Sequence, residues 1–490
     1  MKRVVAIILS VILLLFVVLL IPAEPDYQPE LAGSKQFLWN RDSLWNSLES
    51  LYVKNKTLSG SQLEESVKQS LGELEKDVLL IEKNPKLPGD GIFHRIENKL
   101  FSTAALIGAS QNYIPVFTNL FSRIRNAVKK QSENWNMSDL TARQTLYKLI
   151  YGGRAAVEEL ILQADRNKIS PLIFGKTEIS ITPSIELKGV RVHSGDILIS
   201  RGGAPTSALI ARGNDYPGNF SHVALLYIDE KNNHPYIIES HIEKGVAVSS
   251  IEEYLNDKKL RIMILRLRAD HPVMINDMML PHRAAKLSYE RAIASHIPYD
   301  FTMDFQDSTK LFCSEVASWA YKKTGVNLWM GLSNISSPGV AVWLAGFGVR
   351  HFVTQEPSDL EYDPQLSVVA EWRDPETLFQ DHIDNAIVEA MLERAEEGKK
   401  LEHNWYLLPI ARIMKDYSSL LNLFGKVGPV PEGMSPESAL RHKKLVELHE
   451  KIKFSVDVKI KYFLEEMKYT PPYWKLVGFA RESIEMNKLL

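Results

Sequence analysis

Apolar residues recur at helical spacing along the first third of the chain and at alternate positions through its centre. Leu38, Trp45, Leu48 and Tyr52 fall on one helical face, as do Leu71, Leu74, Val78 and Ile81, and then Leu146, Leu149, Ile150, Ala156, Leu160 and Ile161. These stripes predict packed helices from about Ser34 to Asp165, interrupted at Pro85, Pro88 and Gly89 and again from Asn112 to Pro115. From about Thr177 the period becomes strand-like. Glu178 to Ile181, Ser194 to Ile199, Phe220 to Ile228, Tyr236 to Ser240, Gly245 to Val248 and Leu260 to Leu267 read as strands, with a polar turn from Asp229 to His234. Ala284 to Ser295 and Ser314 to Lys323 return to helix, the second closed by Gly325. Beyond Val353 the chain is charged and mostly helical, with Asn385 to Glu397 and Glu437 to Lys468 the longest segments and a Pro/Gly-rich loop from Gly425 to Pro436.

The predicted fold class is therefore α+β, a small antiparallel sheet on helices with helical regions on both sides. The expected divisions are 1–33, an anchor and tether; 34–170, a helical domain; 171–352, the mixed domain; and 353–490, a helical tail.

The N-terminus adds an address. Met1, Lys2 and Arg3 precede an apolar run from Val4 to Ile21, broken only by Ser10 and ended by Pro22. At 1.5 Å per residue such a run spans roughly 27 Å, close to a bilayer core. No small-x-small cleavage site follows, so the expectation is an uncleaved transmembrane helix, with secretion after signal-peptide cleavage as the alternative. Basic residues before the run and Glu24 and Asp26 after it predict a bacterial inner-membrane protein with its bulk in the periplasm and the inner membrane as a partner. Pro22 to Gly33 reads as a tether.

Composition is ordinary, and the formal net charge of −2 gives no reason to expect nucleic acid. The single cysteine rules out an intrachain disulfide and a Cys-rich zinc site. That residue, Cys313, stands at the predicted start of a helix, where unpaired amides and the helix dipole favour a thiolate and an oxyanion. As a plain buried hydrophobe it would need neither. His222 interrupts an apolar strand near its entry and is the best candidate base, although a satisfied structural histidine has the same look. If the two strands around Lys231 and Asn232 form a hairpin, Glu239 faces Ala224 and His241 faces His222. Glu239 is then a diagonal neighbour of His222 and a candidate third member of a triad, with His241 as the competing orienter. A one-residue slip would turn Glu239 away. His193, His222, His241 and Glu239 could also be read as a metal site, but no helical H-x-x-x-H spacing supports it, and no cofactor is expected.

The order of these pieces resembles the circularly permuted, YiiX/YebB-like branch of the NlpC superfamily of papain-like cysteine hydrolases, relatives of lecithin retinol acyltransferase. Ser194-Gly195-Asp196-Ile197-Leu198, Phe220-Ser221-His222-Val223-Ala224, Tyr236-Ile237-Ile238-Glu239-Ser240, Pro298-Tyr299-Asp300-Phe301 and Phe312-Cys313-Ser314-Glu315-Val316 carry it, over about Val192 to Val326. The resemblance implies Cys313 as nucleophile, His222 as base and Glu239 as orienter. Tyr299 is then a residue lining the substrate site, and Asp300 is either a site or a turn residue. Glu315 points away from the cysteine on a helix and reads as structural. The expected function is a thiol hydrolase acting on an amide or ester of a peptidoglycan peptide or an acyl lipid. The alternatives are an acyltransferase on the same triad and a catalytically idle envelope scaffold.

Overall fold

A computed structural model describes residues 2–21, 27, 29, 31, 37 and 41–489. Its centre is a seven-stranded, wholly antiparallel sheet in the order Leu172–Phe174, Leu366–Trp372, Lys259–Leu267, Ile197–Gly202, His222–Ile228, Pro235–His241, Gly245–Ser249. The fold class is the α+β arrangement expected, with helices before and after the sheet.

Strand alternation divides the sheet into two packed faces. Ile197, Ile199, Val223, Leu225 and Ile238 face the helix Cys313–Lys323, whose Val316, Ala317, Ala320 and Tyr321 are fully buried against them. Leu198, Ala224, Leu226, Ile237 and Ile264 form the other face, covered by Ile251 and Tyr254 of the short helix Ile251–Asn256.

Before the sheet, Arg41–Asn55, Gly60–Lys83, Gly91–Ala109, Ile114–Ser132 and Leu140–Gln163 are helices around one apolar core. Their boundaries follow local chemistry: Ser59 and Gln62 make a reciprocal capping box, and Asp90 and Asp139 accept first-turn amides. After the sheet, Pro375–Glu396, Leu408–Asn422, Pro436–Met467 and Tyr473–Asn487 are helices, and all but Leu408–Asn422 share a third core with Pro338–Ala345. The first helical group meets the sheet through buried ion pairs, Arg125 and Arg154 reaching Glu361 and Glu371.

Two strand expectations change. Glu178 to Ile181 forms no ladder: Ile179 and Ile181 are exposed, while Glu178 accepts a hydrogen bond from Ser367 Oγ. The alternation there reflects one buried carboxylate, not a strand. The sheet also does not stop at residue 352, because Leu366–Trp372 takes an interior place beside Lys259–Leu267.

The expected membrane span is corrected. Lys2–Leu19 is a helix of 18 residues, two of them Lys2 and Arg3, leaving Val4 to Leu19 at about 24 Å, short of the roughly 17–25 apolar residues that cross a bilayer. Among the described residues no helix is long and apolar enough to cross a membrane. The expectations of a transmembrane helix, of the inner membrane as a partner and of a periplasmic bulk behind such a span are withdrawn. Of the expected tether from Pro22 to Gly33, all but Tyr27, Pro29 and Leu31 lies outside the described residues.

Candidate active site

Cys313 is the first residue of its helix, with Phe312 in extended conformation before it. Glu315 fixes this start, since its buried carboxyl accepts the Phe312 N–H at 2.9 Å. Glu315 is thus the structural residue the sequence suggests, and burial, followed by the nearby Asp300, Asp304 and Asp307, pushes its carboxyl up to about 9. The residues ahead of the cysteine are tied to the sheet: Ser240 Oγ donates to Leu311 O at 2.6 Å, and Leu311 N donates to Pro298 O at 3.1 Å.

His222 begins its strand and Glu239 lies on the next, where Ala224 faces Glu239 in the register that the hairpin predicts. The diagonal contact forms: His222 Nε2 lies 2.7 Å from Glu239 Oε2. His241 does not replace Glu239 but flanks it, with Nε2 3.1 Å from Glu239 Oε1. Burial alone would raise the Glu239 carboxyl, but the two imidazoles outweigh it and hold the group well below the usual carboxylate range. For His222 burial wins over Glu239 and lowers the imidazole, so the ring is neutral near pH 7.

Cys313, His222, His241 and Tyr299 line one cleft of about 110 Å³, with Lys259 and Asp257 at its side. Cys313 and His222 are not hydrogen-bonded to each other. The thiol, 5% exposed, donates to Ser221 O at 3.9 Å, and burial pushes it up to about 12 despite the opposing Val223 N–H. Strand alternation explains the gap: His222 shares its face with Ala224 and Leu226, whereas the cysteine helix packs against Val223 and Leu225. At rest the site therefore holds a neutral thiol and a neutral imidazole, not an ion pair.

Tyr299 is carried into the cleft by a loop anchored where Val246 N donates to Ile297 O at 2.9 Å. Gly245 permits this approach: its φ is +69°, and a Cβ there would lie 2.2 Å from Ile297 O. Burial, then the neighbouring Cys313 and Glu356, holds the Tyr299 phenol well above its ordinary value. Asp300 is a turn residue, accepting from Thr302 N at 2.9 Å and Asp304 N at 2.8 Å. His193 stays apart, its Nδ1 3.0 Å from Thr182 O, so the four-residue metal set does not assemble. Among the described residues no group of three or more His, Cys, Asp or Glu could hold a metal ion.

Two groups reach the site without being singled out in the sequence. Glu356, buried and pushed up to about 8 by burial and then by Asp359, bears on both Cys313 and Tyr299. Lys259, two strands from His222, has its ammonium 4.6 Å from the Tyr254 ring centroid and opposes a charge on His222. Neither has a local signature, since one precedes a proline in a loop and the other follows a second lysine at a strand start.

Residues 191–370 match the family described as permuted papain-like amidase enzyme, YaeF/YiiX, C92 family. That segment holds every strand of the sheet except Leu172–Phe174 and the last two residues of Leu366–Trp372, and it carries the thiol-hydrolase character of the family. A solved structure described as the metalloprotein yiiX from Escherichia coli O157:H7 is similar at 20% identity and a TM-score of 0.28, over 36% of this chain and 95% of that one. No curated protein matches.

Proposed function

We propose that the permuted papain-like segment is a thiol amidase with Cys313 as nucleophile, His222 as general base and acid, and Glu239 as the group that orients the imidazole. One observation carries this reading: His222, held by Glu239 at 2.7 Å, lines the same cleft as the thiol at the first turn of a helix. With Nε2 committed to Glu239, the other ring nitrogen, Nδ1, takes the proton. Cys313 Sγ attacks the amide carbon as its proton passes to His222, and the first-turn amides of the helix face the developing oxyanion. His222 then protonates the leaving amine, giving a thioester. Water attacks the thioester with His222 again as base, releasing the carboxylic acid and restoring the thiol. Tyr299 lines the substrate side of the cleft.

The helices of 34–170 and those that follow Leu366–Trp372 we assign to supporting helical regions, the first clamped to the sheet by Arg125 and Arg154. The test is a panel of peptidoglycan stem peptides and N-acyl lipids, with and without an added amine acceptor. The expected result is free acid from one class, a thioester adduct in intact-protein mass spectra, and no product from Cys313→Ala. Unchanged product from Cys313→Ala overturns the assignment, and acyl transfer to the amine in place of free acid makes the site an acyltransferase.

A further inference from the structure

A second cavity, of about 120 Å³, lies away from the cysteine between Arg41–Asn55, Gly91–Ala109, Leu140–Gln163, Pro375–Glu396 and Tyr473–Asn487. Its walls are aromatic. Trp45 and Trp474 stack at 5.3 Å with their planes 6° apart, and Tyr52 meets Tyr469 edge-on at 5.6 Å. Its charged lining is one-sided: Glu49, Glu158 and Glu159 border it, and among the described residues no lysine or arginine does.

The inner end carries two polar atoms without partners. His382, its side chain 7% exposed, has Nε2 3.0 Å from Glu158 Oε2. Burial opposes charge on Glu158, but Arg261, His382 and Arg373 hold it ionised, so His382 Nε2 donates to it. Nδ1 is the other ring nitrogen. It makes no hydrogen bond and lies 3.8 Å from Glu159 Oε1. Glu159 spends Oε1 on the Tyr473 N–H at 2.8 Å, and its Oε2 has no partner. Burial pushes the Glu159 carboxyl up to about 7 against the opposing His382, so a cation bound beside it would hold it ionised, and the unpartnered Glu159 Oε2 and His382 Nδ1 favour a head group that donates and carries positive charge.

We propose that this cavity binds a small organic monocation, a short-chain alkylammonium whose head donates to Glu159 Oε2 and His382 Nδ1 and whose apolar body lies among Trp45, Tyr52, Tyr469 and Trp474. At about 120 Å³ the cavity is smaller than the roughly 150 Å³ that holds benzene, so it suits a short alkyl chain. Glu158 is already matched by Arg261 and Arg373 and Glu49 by Lys475, so discrimination against an anion rests on Glu159.

The test is calorimetric titration of the full chain with butylammonium, butanol and butyrate. Butylammonium is expected to bind saturably, at least tenfold tighter than either of the others. Glu159→Gln is expected to weaken it at least tenfold, and Ala155→Phe, which fills the cavity from its wall, to abolish it. Equal binding of the three probes, or undiminished binding in Glu159→Gln, overturns the proposal. So does absence of heat with any probe, which leaves water as the occupant.

Discussion

Alkylation of Cys313 in the resting protein should be slow, by an amount the structure sets. Burial pushes the thiol up to about 12, and its hydrogen bond goes to a carbonyl oxygen, not to an imidazole. At pH 7 such a thiol carries about 3,000-fold less thiolate than a free cysteine titrating near 8.5. Its more basic thiolate recovers about 40-fold in intrinsic nucleophilicity, taking a Brønsted slope near 0.45. The net expectation is labelling by iodoacetamide roughly 80-fold slower than free cysteine, before any loss of access at 5% exposure. Labelling followed by mass spectrometry from pH 6 to 10 should rise throughout without a plateau. His222→Ala should change the rate by no more than a few-fold, because the lowered imidazole is neutral at rest. In urea the rate should return to that of a free thiol. A plateau between pH 5 and 8 at or above the free-cysteine rate, lost in His222→Ala, would mean a preformed thiolate–imidazolium pair and would refute the resting state described.

Other consequences follow from the same contacts. Glu239→Gln removes the charge that orients His222 and is expected to lower kcat by about 10²–10⁴-fold with a smaller effect on KM, measured on the substrate found in the panel. Because the folded Glu239 carboxyl is depressed, its stabilisation is present above the unfolded value near 4.3 and lost as pH falls below it. Urea midpoints at pH 7 and pH 3 should therefore fall further in the wild type than in Glu239→Gln. Arg154→Met leaves Glu361 and Glu371 short of a buried partner and should cost about 3–5 kcal/mol in urea unfolding. Gly245→Ala forces a Cβ against Ile297 O at positive φ and should cost about 1–3 kcal/mol while displacing Tyr299, read as a lower melting temperature together with reduced turnover.

The sequence by itself determined the local elements and one cross-strand relation. Periodicity located the helical stripes, such as Leu74, Val78 and Ile81, because an amphipathic face is written at fixed spacing. The hairpin turn placed Glu239 opposite Ala224, so the His222–Glu239 contact was legible from register alone. The boundaries of Pro436–Met467 were readable to within a residue, whereas Pro375–Glu396 starts ten residues before the expected Asn385. Two of the seven strands were not: Leu172–Phe174 lay outside the expected strands, and Leu366–Trp372 sits in charged surroundings, its apolar run acquiring meaning only beside Lys259–Leu267, about a hundred residues earlier. The Lys2–Leu19 segment shows the reverse failure, since its composition suggested a span that its helical length does not supply. Tertiary structure alone decided the chemistry of the thiol. Whether Cys313 meets an imidazole or a carbonyl, and how far Glu356 and Lys259 bear on the cleft, depend on which sheet face each strand presents and on desolvation by distant segments. Acidity in a buried site is a sum over neighbours in space, and sequence spacing does not encode that sum.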